Sequence, residues 1–167
     1  GGTVQAMINK PIVTDTLAVR AVAYQISDPG YMDHIQNANP YVPSVIMDDS
    51  NHVQTRGARA HVRWQMGDTS ILDANLTYQQ IQGDDIAHAP SSAGLFQTDT
   101  PILQPYSNKI WARSLAFRKD WGDWTLSSTS GWVNQNTREI FYQGLAFDRL
   151  DYLTASRKIT LLSHEMR

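Results

Sequence analysis

From Gly57 to Gln82 the chain alternates between apolar and polar positions with a period of two. Ala58, Ala60, Val62 and Trp64 fall on one parity, and Arg59, His61, Arg63 and Gln65 on the other. After Met66-Gly67-Asp68-Thr69 the alternation resumes, with Leu72, Ala74, Leu76 and Tyr78 against Asp73, Asn75, Thr77 and Gln79. A period of two carried through two segments around a Gly-Asp turn predicts an antiparallel hairpin with one apolar and one polar face. Facing residue numbers must then sum to an even value. A sum of 134 sets Asp73 opposite His61, and 136 sets it opposite Arg63, so either register gives the carboxylate a cationic or protonatable neighbour. Nine residues of tilted strand span roughly 20–25 Å, about the apolar height of an outer-membrane barrel, although the same hairpin would suit a soluble sheet.

The rest of the chain reads as further strands. Thr3–Asn9 alternates Val4, Ala6 and Ile8 with Gln5, Met7 and Asn9, and Pro11 then marks a short connection spanning 10–15. Residues 16–25 set Leu17, Val19, Ala21 and Ala23 against Ala18, Arg20, Val22 and Tyr24, with facing left open because both sets hold apolar residues. Residues 109–120 form a strand with equally ambiguous facing. Trp121-Gly122-Asp123 is a tight turn, 124–139 a long strand, and 159–167 the start of a seventh.

Between these strands the connections run short, long, short, long, short, long. The long ones cover residues 28–56, 83–108 and 140–158. Structureless loops beyond about 12–15 residues are uncommon in compact domains. A barrel crossing an outer membrane gives the alternation a cause, with tight turns on the periplasmic side and long loops outside. The expected fold is therefore all-β: an antiparallel meander of about seven strands, part of a large transmembrane β-barrel. Tryptophan placement agrees. Trp64, Trp121 and Trp124 adjoin predicted tight turns, and Trp111 and Trp132 lie toward the long-loop ends, at the two levels where interfacial indoles sit. Tryptophans flanking the core of a sandwich are the competing explanation.

Composition narrows the classes. A mean hydropathy of −0.39, without any long apolar run, excludes a transmembrane helix but not membrane-crossing strands. A net charge of −2 with dispersed arginines gives no reason to expect nucleic acid. The absence of cysteine removes disulfides, thiolate catalysis and Cys-ligated zinc. The chain opens Gly1-Gly2-Thr3 without a basic-then-apolar leader pattern and stops at Arg167 in mid-alternation, so the expectation is a segment of a longer chain.

Several short motifs, in order along the chain, carry a resemblance. Asn9-Lys10-Pro11-Ile12-Val13-Thr14-Asp15-Thr16-Leu17-Ala18-Val19-Arg20 resembles an N-x-P-[LI]-V-x-D-x-L-A-x-R segment of TonB-dependent outer-membrane receptors. There it is followed by a Gly-Tyr-x-Asp stretch, matched here by Gly30-Tyr31-Met32-Asp33. Gly57-Ala58-Arg59-Ala60 with Arg63-Trp64 resembles the next strand, and Ser163-His164-Glu165-Met166-Arg167 is similar to an S/T-Q-E-[LI]-R strand start, with His164 replacing the usual Gln. The resemblance implies a 22-stranded barrel in the outer membrane of a Gram-negative bacterium, plugged by an N-terminal domain. Such a receptor takes up a scarce small-molecule nutrient, such as siderophore-bound iron, driven by an inner-membrane energy-coupling complex. Its implied partners are outer-membrane lipid, the plug, that complex and the ligand. The plug, the coupling box and the terminal aromatic strand are missing from these residues. Seven strands alone also leave open edges.

Candidate sites follow from the faces and loops. Arg59, His61, Arg63, Asp73 and Asn75 are expected to line the lumen, where they either contact plug and ligand or form a salt-bridge ladder that holds register; the ladder is the favoured reading. Tyr31, Asp33, His34 and Tyr106 are loop candidates for ligand contact, since aromatics mixed with polar groups suit glycan or chelate binding. The five histidines (34, 52, 61, 88 and 164) show no HxH or HxxxH spacing, so solvated loop or lumen positions are expected, with no metal and no cofactor. Asp48-Asp49 and Asp84-Asp85 lack EF-hand spacing and read as solvated loop tips. No catalytic constellation appears, and no enzyme is expected. The alternatives to the receptor are a passive outer-membrane porin and a soluble β-sandwich binding module.

Overall fold

The computed structural model describes residues 1–35, 47–87, 96–146 and 149–167. Residues 36–46, 88–95 and 147–148 of the expected long connections, His88 among them, lie outside the described residues. Seven long strands form one antiparallel sheet: β1 (Gly2–Val13), β2 (Leu17–Asp28), β4 (Val53–Gln65), β5 (Ser70–Gly83), β7 (Tyr106–Trp121), β8 (Trp124–Ala146) and β9 (Arg149–Met166). They pair in that order, each with its neighbours along the chain. Two short strands, β3 (Asp33–His34) and β6 (Gln97–Thr98), pair in parallel within the long connections. The fold is thus all-β, an antiparallel meander of seven long strands. The sheet stays open: β1 and β9 are its edges and do not pair with each other.

The second and third tight turns sit where the sequence puts them, whereas the first, expected at 10–15, covers residues 14–16. The first is closed by Thr16 N–H donating to Val13 O at 3.1 Å, with Asp15 left-handed at φ 58°. In the second, Met66 N–H reaches Ser70 O at 2.8 Å, and Gly67 takes φ 70°. Gly122 at φ 57° makes the third; a Cβ is strained in that region, so glycine is the residue that turns there without strain.

Two expectations need correction. Pro11 does not end β1: the strand runs through it, opposite Ala18, and slips register before Val13. An edge strand tolerates proline because one side of its ladder needs no donor, and the slip absorbs the misfit. The third long connection, 140–158, is almost wholly strand, since β8 continues to Ala146 and β9 begins at Arg149. The physical reason lies in composition. Unlike the other two connections, this segment has no proline, and Ile140, Phe141, Tyr142, Leu150, Tyr152 and Leu153 favour a pleated surface. Gly144, at φ 140°, accommodates the one irregularity, between Tyr142 and Gly144.

Register settles the ambiguous facings. Val19, Val62, Ala74 and Leu115 stand side by side, as do Ala21, Ala60, Leu76, Arg113, Trp132 and Leu162. Leu17, Val19, Ala21 and Ala23 of β2 therefore share the apolar face, and Trp111, Leu115 and Phe117 of β7 join them. Arg20 falls on the opposite face, beside His61.

Among the described residues no second layer covers either face. Ala60, Val62, Leu72, Ala74 and Leu76 are all at least partly exposed. Leu162 is 79% exposed, and among the described residues the one buried hydrophobic side chain is Met32, in the chain between β2 and β3. Each large aliphatic side chain left in water forgoes about 1.5–3 kcal/mol of transfer free energy. A face holding many of them is complete only against another apolar phase.

Candidate functional site

The polar face of β2, β4, β5 and β7 brings together the residues that the alternation singles out. The hairpin takes the register summing to 136, with Arg63 opposite Asp73 and His61 opposite Asn75. Arg63 grips Asp73 with both prongs, Nε donating to Oδ1 at 2.8 Å and Nη2 to Oδ2 at 2.9 Å. His61 Nε2 lies 3.0 Å from the same Oδ1. Asn75 Nδ2 donates to Ser114 Oγ on β7 at 3.1 Å. The planar fork of arginine matches a carboxylate, so this pair fixes geometry as well as charge. Because it is largely open to water, it contributes little stability by itself.

Above this pair the face becomes cationic. Arg20 and Arg59 flank His61, and with Asn75 and Thr77 they line a depression of about 400 Å³. Neither arginine has a carboxylate partner among the described residues. Arg20 Nη2 reaches Met7 Sδ at 3.3 Å, and the Arg59 guanidinium sits 5.9 Å from the Tyr24 ring centre. Tyr24 is held in turn by its hydroxyl donating to Gln79 Oε1 at 2.8 Å. It lies flat across Gly57, where a Cβ would come within 2.2 Å of its ring. The arrangement offers two guanidiniums without a described carboxylate partner to an anion such as a carboxylate, phenolate or phosphate. Sequence alternation found Arg59 and His61. It missed Arg20, whose facing only the pairing of β2 with β4 reveals.

A second cluster occupies the long-loop end. Here lie most of the buried polar side chains: His34, Ser50, Asn51, Asp85, Thr98, Thr100 and Gln104. His34 Nε2–H donates to Thr100 O at 2.5 Å, while Nδ1 faces Asp85 Oδ2 at 3.3 Å. Asp85 Oδ1 accepts Gln104 N–H and Ile86 N–H, both at 2.9 Å, and Ser50 Oγ donates to Oδ2 at 3.4 Å. Asn51 Oδ1 takes Tyr31 N–H and Met32 N–H, each at 2.8 Å. Serine, histidine and aspartate meet here, but the hydroxyl bonds to the carboxylate and not to the imidazole. The serine and the imidazole therefore do not form a Ser–His pair. The cluster acts as a strut that ties β3, β6 and the chain on either side of them into one unit.

The four loop candidates separate. Tyr31 is 54% exposed and meets Phe96 edge-on at 5.8 Å between ring centres. Asp33 Oδ1 accepts from Asp49 N–H at 3.3 Å. His34 is 1% exposed, so it is neither a solvated histidine nor open to a ligand: its two ring nitrogens are committed inside the strut. Tyr106 starts β7 and lies over Gly83 just as Tyr24 lies over Gly57, a Cβ there meeting its ring at 2.2 Å. Asp48, Asp49 and Asp84 are exposed, and Asp84 pairs with His52 Nδ1 at 3.2 Å. Asp85, expected at a solvated loop tip, is instead buried, because its two oxygens satisfy backbone and side-chain donors. Among the described residues no group of three or more histidines or carboxylates is placed to hold a metal.

All five tryptophans share the apolar face: Trp64 beside Leu72, Trp111 beside Tyr78, Trp121 opposite Trp124, and Trp132 beside Arg113. All five are exposed. No protein-family model, no curated protein and no solved structure matches the chain.

Proposed function

We propose that this chain is part of the wall of an outer-membrane β-barrel, in a receptor of the TonB-dependent kind that takes up a scarce nutrient such as a siderophore–iron complex. The observation that carries the reading is the division of one uncovered sheet. One face is apolar and holds every tryptophan: Trp64, Trp121 and Trp124 beside the tight turns, Trp111 toward the long connections, and Trp132, expected at that end too, at mid-height opposite Arg113. The opposite face holds the ion pairs and the cationic depression. Lipid is the partner that such a face requires, and an aqueous lumen suits the other. Chelates of iron are commonly anionic, and Arg20 and Arg59 supply the complementary charge. The plug domain and the inner-membrane coupling complex belong to the same proposal as partners of the full-length receptor. A soluble sandwich would need a second layer over Val62 and Leu76, and no described element supplies one.

The absence of native cysteine makes the test clean. Single Ala60→Cys and Thr77→Cys variants, in the protein reconstituted into lipid bilayers, are treated with a membrane-impermeant maleimide. Thr77→Cys should react and Ala60→Cys should stay protected until detergent is added. Equal reaction at both positions sinks the wall. Uptake is tested separately, by measuring accumulation of radiolabelled ferric chelate with and without the Arg20→Gln/Arg59→Gln pair. Accumulation that ignores an uncoupler would point to passive passage instead.

A further inference from the structure

Charge is divided between the two faces of the sheet more sharply than hydrophobicity is. On the long strands Asp28, Asp73, Asp120, Glu139, Asp151 and Glu165 all fall on the polar face by register and alternation. The apolar face carries no described carboxylate, yet it carries cations: Arg56, Lys109, Arg138 and Lys158 toward its long-loop end, and Arg113 at mid-strand. All five are exposed, and none makes an ion pair with a described residue. A soluble surface mixes both signs. A face that excludes every carboxylate while keeping five cations is matched to a negatively charged partner.

Their placement is ordered. Pairing runs Arg56–Gln80–Lys109–Asn136–Lys158 across the sheet as a single row, cations alternating with amides. Two strand spacings separate successive cations by about 10 Å. One residue pair closer to the tight turns lie Tyr78 and Trp111, stacked at 4.6 Å. Arg113, deeper still, places its guanidinium 4.5 Å from the Trp132 ring centre and 5.9 Å from that of Trp111. Midway along β7, this cation is shielded by the two indoles. Between Lys109 and Lys158 the surface dips into a depression of about 250 Å³ with Asn134, Asn136 and Thr160 in its floor. Asn134 and Thr160 bond each other, whereas Asn136 Oδ1 is buried without a partner, the one such side-chain atom among the described residues.

We infer that this row is a binding site for the headgroup of an anionic lipid, its phosphate held by Lys109 and Lys158, with Arg56 and Arg138 gathering further phosphates alongside. The inference rests on the wall reading above and adds to it the chemistry of the lipid at one leaflet. The two cations toward the tight turns, Lys10 and Lys119, belong to the other leaflet and take no part.

Phosphatidylglycerol is the anionic lipid, and phosphatidylcholine is the neutral comparison. Native mass spectrometry of the protein released from nanodiscs holding the two in equal amounts should show preferential retention of phosphatidylglycerol. Lys109→Gln/Lys158→Gln should cut its apparent affinity by roughly fivefold per charge removed. Asn136→Asp, which is nearly isosteric, should abolish the preference by placing a carboxylate between the lysines. Lys10→Gln/Lys119→Gln should leave it unchanged. Equal retention of the two lipids, or a preference untouched by the Lys109 and Lys158 changes, overturns the site. Quenching of tryptophan fluorescence by brominated acyl chains, in bilayers of phosphatidylcholine alone, keeps the two readings apart. Absence of quenching defeats the wall itself, whereas quenching without anionic preference defeats only the headgroup site. The same quenching measured on each variant establishes that it still inserts.

Discussion

The two ends of the sheet are built on different principles. At the tight-turn end the strands are joined by the shortest possible links, the side chains on one face are apolar and uncovered, and order comes from backbone ladders plus the Arg63–Asp73 fork. At the long-loop end a polar cluster is sealed from water around His34 and Asp85, and its bonds link residues far apart in the chain. One end depends on what surrounds it; the other supplies its own interior. A wall embedded in lipid needs no core of its own along its apolar height, whereas loops projecting beyond the membrane stand in water and must satisfy their own polar groups.

That contrast is open to attack from both sides. For the proposed membrane wall the largest effect is expected from Ala74→Arg, on the apolar face between Val62 and Leu115: about 2–4 kcal/mol, the cost of a cation on the lipid face near a bilayer midplane. Urea titration of the inserted protein measures it, and a loss under 0.5 kcal/mol would argue that this face does not meet hydrocarbon. Next comes Asp85→Asn. Removing the carboxylate leaves His34 and its neighbours short of an acceptor, at about 1–3 kcal/mol. The damage should stay local, so hydrogen exchange should accelerate at Asp33, His34 and Gln104 while the amides of β4 and β5 keep their protection. Faster exchange in β4 as well would show that the two ends are not separate.

Gly57→Ala should cost about 1–2 kcal/mol, because the added methyl displaces the Tyr24 ring and breaks its bond to Gln79. The change appears as a lower denaturation midpoint together with quicker hydrogen exchange at Tyr24. Arg63→Gln should be the mildest, at about 0.5 kcal/mol, since the ion pair is mostly exposed. A much larger loss would mean that the pair is shielded by an element absent from the described residues.

The same contrast explains which parts of the structure could be read from sequence. Period-two alternation reports which side chains share a face. It therefore located the hairpin, its turn at 66–69, the even-sum register and the shared side of Arg59, His61, Arg63, Asp73 and Asn75. It failed where both parities are apolar, as in β2, because facing there is fixed by the partner strand: Leu17 meets Trp64, and Arg20 meets His61. Overweighting proline and loop length hid the strand character of Pro11 and of residues 140–158. The His34–Asp85 strut had no local signal at all. Its members lie 51 positions apart, and adjacent Asp84 and Asp85 look alike in sequence although one is exposed and the other buried. Only the route of the chain through space separates them.

Beyond the pairing of Tyr106 with Glu139, β8 and β9 go on alone as a two-stranded ribbon. About seven further residues per strand carry it roughly 23 Å past its neighbours. Its foot is pinned where Ile140 N–H meets Pro105 O and Tyr142 N–H meets Gln104 Oε1. Gln104 also donates its backbone N–H to Asp85, so the pin and the polar strut share a residue. Gln104 therefore bonds both to the foot of this ribbon, at Tyr142, and to the carboxylate that faces His34.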